Sequence, residues 1–133
     1  MARTVLVIDD EQNMRWVLTQ ALEKAGYDVC TAENGPKGLQ QFARHSVDLL
    51  LLDLKMPGMD GLAVLRELRQ RSADVPILLL TAYATVPTAV EALQLGATDY
   101  LRKPFDLATI LGQINRFLAQ RTDQQIQQYD VER

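Results

Sequence analysis

Asp9, Asp10, Asp53 and Lys103 are the residues of this chain whose types and positions point to chemistry. Val5-Leu6-Val7-Ile8 runs straight into Asp9-Asp10, Leu49-Leu50-Leu51-Leu52 into Asp53, and Tyr100-Leu101-Arg102 into Lys103-Pro104. In an open parallel sheet the carboxyl ends of the strands line one edge, and ligands bind in the crevice there. Residues far apart in the chain can therefore converge. Three acids around one point repel one another unless a hard cation shares them, and carboxylate oxygens suit Mg²⁺ or Mn²⁺. Asp9, Asp10 and Asp53 are thus candidate metal ligands beside a reactive aspartate. One Asp after a strand would pass as a helix cap, but two adjacent ones after a buried strand are costly unless neutralised.

Three further positions belong to the same edge. Leu54-Lys55-Met56-Pro57-Gly58-Met59-Asp60-Gly61 is a tight loop, so the backbone carbonyl of Lys55 is a further candidate ligand. Thr81, after Ile77-Leu78-Leu79-Leu80, brings a hydroxyl there. The Lys103–Pro104 bond is a candidate cis peptide, since an X–Pro bond adopts cis at small cost.

The elements that must position these groups are legible as strand-like runs at residues 4–8, 27–31, 48–52, 76–80 and 98–101, with helical patterns between them. Strands alternating with helices imply right-handed crossovers and a parallel sheet. VLVI, LLLL and ILLL are apolar on both faces, as central strands covered by helices should be. Tyr27–Thr31 alternates and Asp99-Tyr100-Leu101 is short, so those two read as edges. A doubly wound α/β fold with a five-stranded parallel sheet of order 2-1-3-4-5 meets these constraints. Met14, Val17, Leu18, Ala21, Leu22 and Ala25 form the expected buried stripe of the first helix, with Gly26 as its stop. Leu107, Ile110, Leu111, Ile114, Phe117 and Leu118 do the same for the last, after Asp106. Asn34-Gly35-Pro36, Asp60-Gly61 and Thr85-Val86-Pro87 open the other three.

The 133 residues are 47% hydrophobic and 23% charged, the composition of one soluble globular domain. Fourteen basic against seventeen acidic residues leave a net charge of −3, which argues against direct nucleic-acid binding through a basic patch. A single cysteine, Cys30, excludes an intramolecular disulfide framework or a cysteine zinc site. Without an apolar stretch long enough to span a bilayer, or room for a signal peptide before the first strand, the expected place is the cytoplasm, with no membrane contact. From Ala119 the composition turns polar, with five glutamines. Residues 1–120 are therefore expected to form the domain, and 121–133 a tail or the start of a linker.

Together, Asp9-Asp10, Asp53, Thr81, Tyr100 and Lys103-Pro104 resemble the motifs of the receiver domain of bacterial two-component response regulators, a likeness that covers residues 4 to about 120. The resemblance implies a flavodoxin-like (CheY-like) fold in which Asp53 accepts a phosphoryl group from the phosphohistidine of a sensor kinase. It also implies that Asp9 or Asp10, Asp53 and the Lys55 carbonyl hold Mg²⁺, and that Lys103, Thr81 and the Ala82 backbone N–H bind the phosphoryl. Thr81 and Tyr100 would couple as the switch, Lys55 and Tyr83 would tune dephosphorylation, and the phosphorylated form would dimerise. The stretch Thr81 to Phe105 looks most like the receivers of NtrC-like transcription activators. The chain departs from that class in having no G-x-x-x-x-G-K-[ST] loop, so transcriptional output is implied for a longer parent.

Trp16 falls outside the expected stripe of the first helix, which makes it a candidate contact for the kinase or a ring lying across its neighbours. His45 reads as a solvated helix end, and Cys30 as a small core residue. Two other functions fit less well. A Mg²⁺ phosphohydrolase of the haloacid dehalogenase type would place a D-x-D on the first strand, where this chain has Asp-Asp-Glu. A flavin carrier would need a small, neutral phosphate loop where DDEQNM stands. A stand-alone regulator acting through protein contacts remains the nearer alternative.

Overall fold

The computed structural model of the protein describes residues 2–54, 56, 58–82 and 86–131, with backbone alone for residue 86 and residues 120–131. Strands and helices alternate strictly: β1 (Thr4–Ile8), α1 (Gln12–Lys24), β2 (Asp28–Ala32), α2 (Gly35–Arg44), β3 (Leu49–Asp53), α3 (Gly61–Arg71), β4 (Ile77–Thr81), α4 (Val86–Gln94), β5 (Asp99–Arg102) and α5 (Leu107–Val131). The strands form one parallel sheet of order β2-β1-β3-β4-β5, the order expected from the sequence.

The side chains of the central strands alternate between two cores. Leu6, Ile8, Leu50, Leu52, Ile77 and Leu79 pack with Val64, Leu65 and Leu68 of α3 and Ala92 of α4. Val5, Val7, Leu49, Leu51, Leu78 and Leu80 pack with Leu18 and Leu22 of α1 and Ile110, Ile114 and Leu118 of α5. Each fully buried Leu or Ile contributes roughly 1.5–3 kcal/mol. Because both faces of β3 are apolar, a one-residue slip would cost little in side-chain facing. It would, however, pull Asp53 into the sheet interior, where an unpaired carboxylate costs several kcal/mol. The polar residue at the strand end fixes the register.

Strand bounds differ from expectation by one residue. β2 to β5 each start one position later, so Asp53 and Thr81 are the last residues of their strands, opposite Leu80 and Arg102 respectively, rather than the first of their loops. The α1 stripe is also narrower than its periodicity implied. Leu18 and Leu22 are buried, whereas Val17 is 36% exposed and Ala25 is exposed. The sheet covers only a strip of this helix, and both residues fall beyond its margin.

Caps follow from the sequence at two helices. Asn34 accepts the Lys37 N–H at 2.9 Å, and Asp60 accepts the Ala63 N–H at 2.9 Å. At the far end of α3, Arg69 ties three segments together. Its Nε donates to the Gly96 carbonyl (2.7 Å) and its Nη1 to those of Val75 (2.7 Å) and Ser72 (3.2 Å).

Candidate functional site

Asp9 leaves β1 fully buried, and four contacts hold it. Its N–H donates to the Ala32 carbonyl (3.1 Å), while its own carbonyl accepts from Arg15 Nη1 (2.8 Å). Its Oδ1 accepts the Glu11 N–H (2.9 Å) and its Oδ2 accepts from Lys103 Nζ (3.0 Å). Asp53, at the end of β3, is 5% exposed and lies 3.8 Å from the same Nζ. Asp10 is exposed at the rim, and Asp9, Asp10 and Asp53 each place a carboxylate oxygen within 4.8 Å of the others. Hard oxygen donors from three acids at this spacing fit a Mg²⁺-like cation.

Lys103 reaches this cluster from beyond β5. Its backbone N–H donates to the Thr81 carbonyl at 2.7 Å, tying the ends of β4 and β5 together, and the following peptide bond to Pro104 is cis. Burial alone would lower the pKa of the ammonium. The hydrogen bond to Asp9 and the charges of Asp9, Asp53 and Glu11 outweigh that and hold it above the ordinary lysine value. Thr81 is buried at the same edge, 2% exposed, and Ala82 follows it on the surface. Asp9, Asp10, Asp53, Thr81, Ala82 and Lys103 are thus together at the carboxyl ends of β1, β3, β4 and β5. The Lys55 carbonyl and Tyr83 lie outside the described residues.

Tyr100 is 37% exposed on β5. Trp16 is 64% exposed near the start of α1, and with Val17, Gln20 and Leu107 it lines a shallow groove between α1 and the start of α5. His45 caps the C-terminal end of α2 and contacts Gln41. Cys30 is half-buried, and burial pushes its thiol pKa up.

Two residues matter to the site in ways the sequence reading did not anticipate. Gly61 opens α3 where a Cβ would stand 2.5 Å from the Leu54 Cα and 2.6 Å from the carbonyl oxygens of Asp53 and Leu54, so only glycine lets the helix approach the backbone at Asp53. Its bare type gave no signal beyond a helix start. Arg15 did carry one: a cation in the first turn of a helix opposes the dipole, which hints at a partner elsewhere.

Acids and a lysine stand together at the carboxyl edge of a sheet of this order, and residues 5–115 match the response regulator receiver domain family, a family of signalling domains to which the chain belongs. It is similar to the receiver portion of NtrC-like regulators. The DNA-binding transcriptional regulator NtrC of Escherichia coli is 43% identical over 121 residues, 91% of this chain and 26% of that protein. Regulatory protein AtoC of Escherichia coli is 47% identical over 103 residues, 77% of this chain and 22% of that protein. The chain thus spans about a quarter of the length of these relatives. Among solved structures, the CheY-like receiver domain protein of Methanospirillum hungatei superposes with a TM-score of 0.90 at 27% identity, covering 93% of this chain and 99% of that one. NtrX of Brucella abortus superposes with 0.87 at 28% identity, covering 96% of this chain and 30% of that one. Among the described residues no helix is long and apolar enough to cross a membrane.

Proposed function

We propose that this domain accepts a phosphoryl group on Asp53 from a phosphohistidine of a sensor histidine kinase and relays the change to an output. The observation that carries the reading is the position of Lys103 Nζ, 3.0 Å from Asp9 and 3.8 Å from Asp53, beside three mutually close carboxylates. Asp9, Asp10 and Asp53, with the Lys55 carbonyl as a further ligand, would hold Mg²⁺. When bound, the ion would neutralise charge spreading over the phosphoryl oxygens in the transition state.

Within this site Asp53 supplies the attacking carboxylate oxygen. The phosphorus–nitrogen bond to the donor imidazole breaks as the phosphorus–oxygen bond forms. Lys103 exchanges its contact with Asp9 for one with the phosphoryl, and the Thr81 hydroxyl and Ala82 N–H bind its remaining oxygens. The chain assists its own phosphorylation and dephosphorylation, the latter tuned at Lys55 and Tyr83, and acts on no other substrate. Trp16, exposed on α1, serves as a kinase contact.

For output, Thr81 drawn toward the phosphoryl lets Tyr100 turn inward, which re-sets α4, β5 and α5 as the face of a phosphorylation-dependent homodimer. Residues 1–120 act as the receiver and 121–133 begin a connector in the cytoplasm to a transcription-activating output. The continuation of α5 to Val131 favours this over a stand-alone regulator.

Thermal melting tests the site. Mg²⁺ with beryllofluoride, a phosphoryl mimic, should raise the melting temperature of the unaltered chain by mass action on the folded state. Asp10→Asn and Asp53→Asn should each lose most of that rise. An equal rise in Asp53→Asn would reject the assignment.

A further inference from the structure

The β1–α1 loop carries two of the three acids yet lacks the usual means of holding a helix start. Glu11, the N-cap of α1, makes no side-chain capping bond, and no acidic residue occupies the first turn. Like charges within 4.8 Å push the loop apart. Against that stand the Asp9 side-chain contacts with the Glu11 N–H (2.9 Å) and Lys103 Nζ (3.0 Å) and one unusual backbone contact, the Arg15 guanidinium turned back from α1 to the Asp9 carbonyl at 2.8 Å. That carbonyl belongs to the peptide unit joining Asp9 to Asp10, and a peptide unit is planar. Fixing its oxygen therefore fixes the direction in which the chain enters Asp10.

We infer that Arg15 is a positioning residue for the metal site, setting the relative placement of the Asp9 and Asp10 carboxylates. This rests on the metal reading of the acid cluster proposed above. Arg15 also lines a shallow groove with Glu33, Lys37 and Arg44, so it is reachable from the surface and replaceable without opening the core.

Charge and position make opposite forecasts, which gives the inference a sharp test. As a mere nearby cation, Arg15 repels a divalent ion, and its removal should tighten binding. As a brace, its removal should weaken binding, and loss of a partner that orients a ligand costs about tenfold or more in metal affinity.

Calorimetric titration of Mg²⁺ into the unaltered chain, Arg15→Met, Arg15→Gln and Arg15→Lys decides between them, with Asp10→Asn as the control for the site itself. The expected result is about tenfold weaker binding in both uncharged variants, a near-normal affinity in Arg15→Lys, which keeps a charged donor, and metal-free melting temperatures close to the unaltered chain. The Met and Gln variants each decide alone should the other fold poorly. Equal or tighter binding in the uncharged variants would overturn the positioning role while leaving the metal site standing. Absence of Mg²⁺ binding by the unaltered chain would overturn the metal reading and this inference with it.

Discussion

At the scale of single residues the site is a problem of charge held in place. Lys103 is an internal counter-ion of two buried acids, with a side chain only 11% exposed. Replacing it by Met strands those carboxylates, which should cost on the order of 3 kcal/mol in the absence of metal. Mg²⁺ should restore much of the loss. Because the folded pKa of Lys103 lies above its ordinary value of 10.5, its contribution is complete below that pH and is lost as pH climbs through the folded value. Melting curves should therefore show a gap between the unaltered chain and Lys103→Met that is constant near neutrality and closes in the strongly alkaline range. A gap already closed at neutral pH would mean that Lys103 does not stabilise the metal-free state. Gly61 gives the second residue-scale case. Helix propensity alone favours Ala over Gly by about 1 kcal/mol. The added Cβ would meet backbone at 2.5–2.6 Å, which cannot give way as a side chain can. Overpacking costs about 1–3 kcal/mol, so Gly61→Ala should lower stability in urea denaturation and slow phosphorylation of Asp53, whose carbonyl it displaces. A stabilised Gly61→Ala would show that the approach of α3 is not tight.

At the scale of elements, α4 is built asymmetrically. Its C-terminal end is pinned, since Gly96 just beyond it accepts from Arg69, and Glu91 lies 3.7 Å from Arg66. Its start, Val86-Pro87-Thr88, combines β-branched residues with a proline and has poor intrinsic helicity. A helix of this kind depends on packing and can be re-set by a small shift beneath it. Val90, Leu93 and Tyr100 also leave α4 and β5 with exposed apolar side chains, as a face that changes partners would need. Amide exchange with and without beryllofluoride should thus show its largest protection changes in α4 and β5, greatest toward the start of α4. Largest changes on α1 and α2, with α4 unaltered, would contradict this route.

At the scale of the whole molecule, the sheet order and the convergence of Asp9, Asp10, Asp53, Thr81 and Lys103 were legible because apolar runs stop abruptly at polar residues. That pattern is one-dimensional and survives without coordinates. The one-residue offset of β2 to β5 was not, because a strand extends as far as its neighbour offers backbone partners, and Leu80 and Arg102 offer them to Asp53 and Thr81. Val17 and Ala25 joined the wrong side of α1 because periodicity gives the direction of a stripe but not the width that the sheet covers. The approach at Gly61 and the brace from Arg15 depend on distances between separate segments, which no spacing along the chain encodes.

The central claim is that Asp53 takes the phosphoryl group, and intact-mass measurement after incubation with acetyl phosphate and Mg²⁺ tests it most directly. The unaltered chain is predicted to gain the mass of one phosphoryl group and to lose the gain when Mg²⁺ is chelated beforehand, while Asp53→Asn gains none. Undiminished modification of Asp53→Asn would contradict the account.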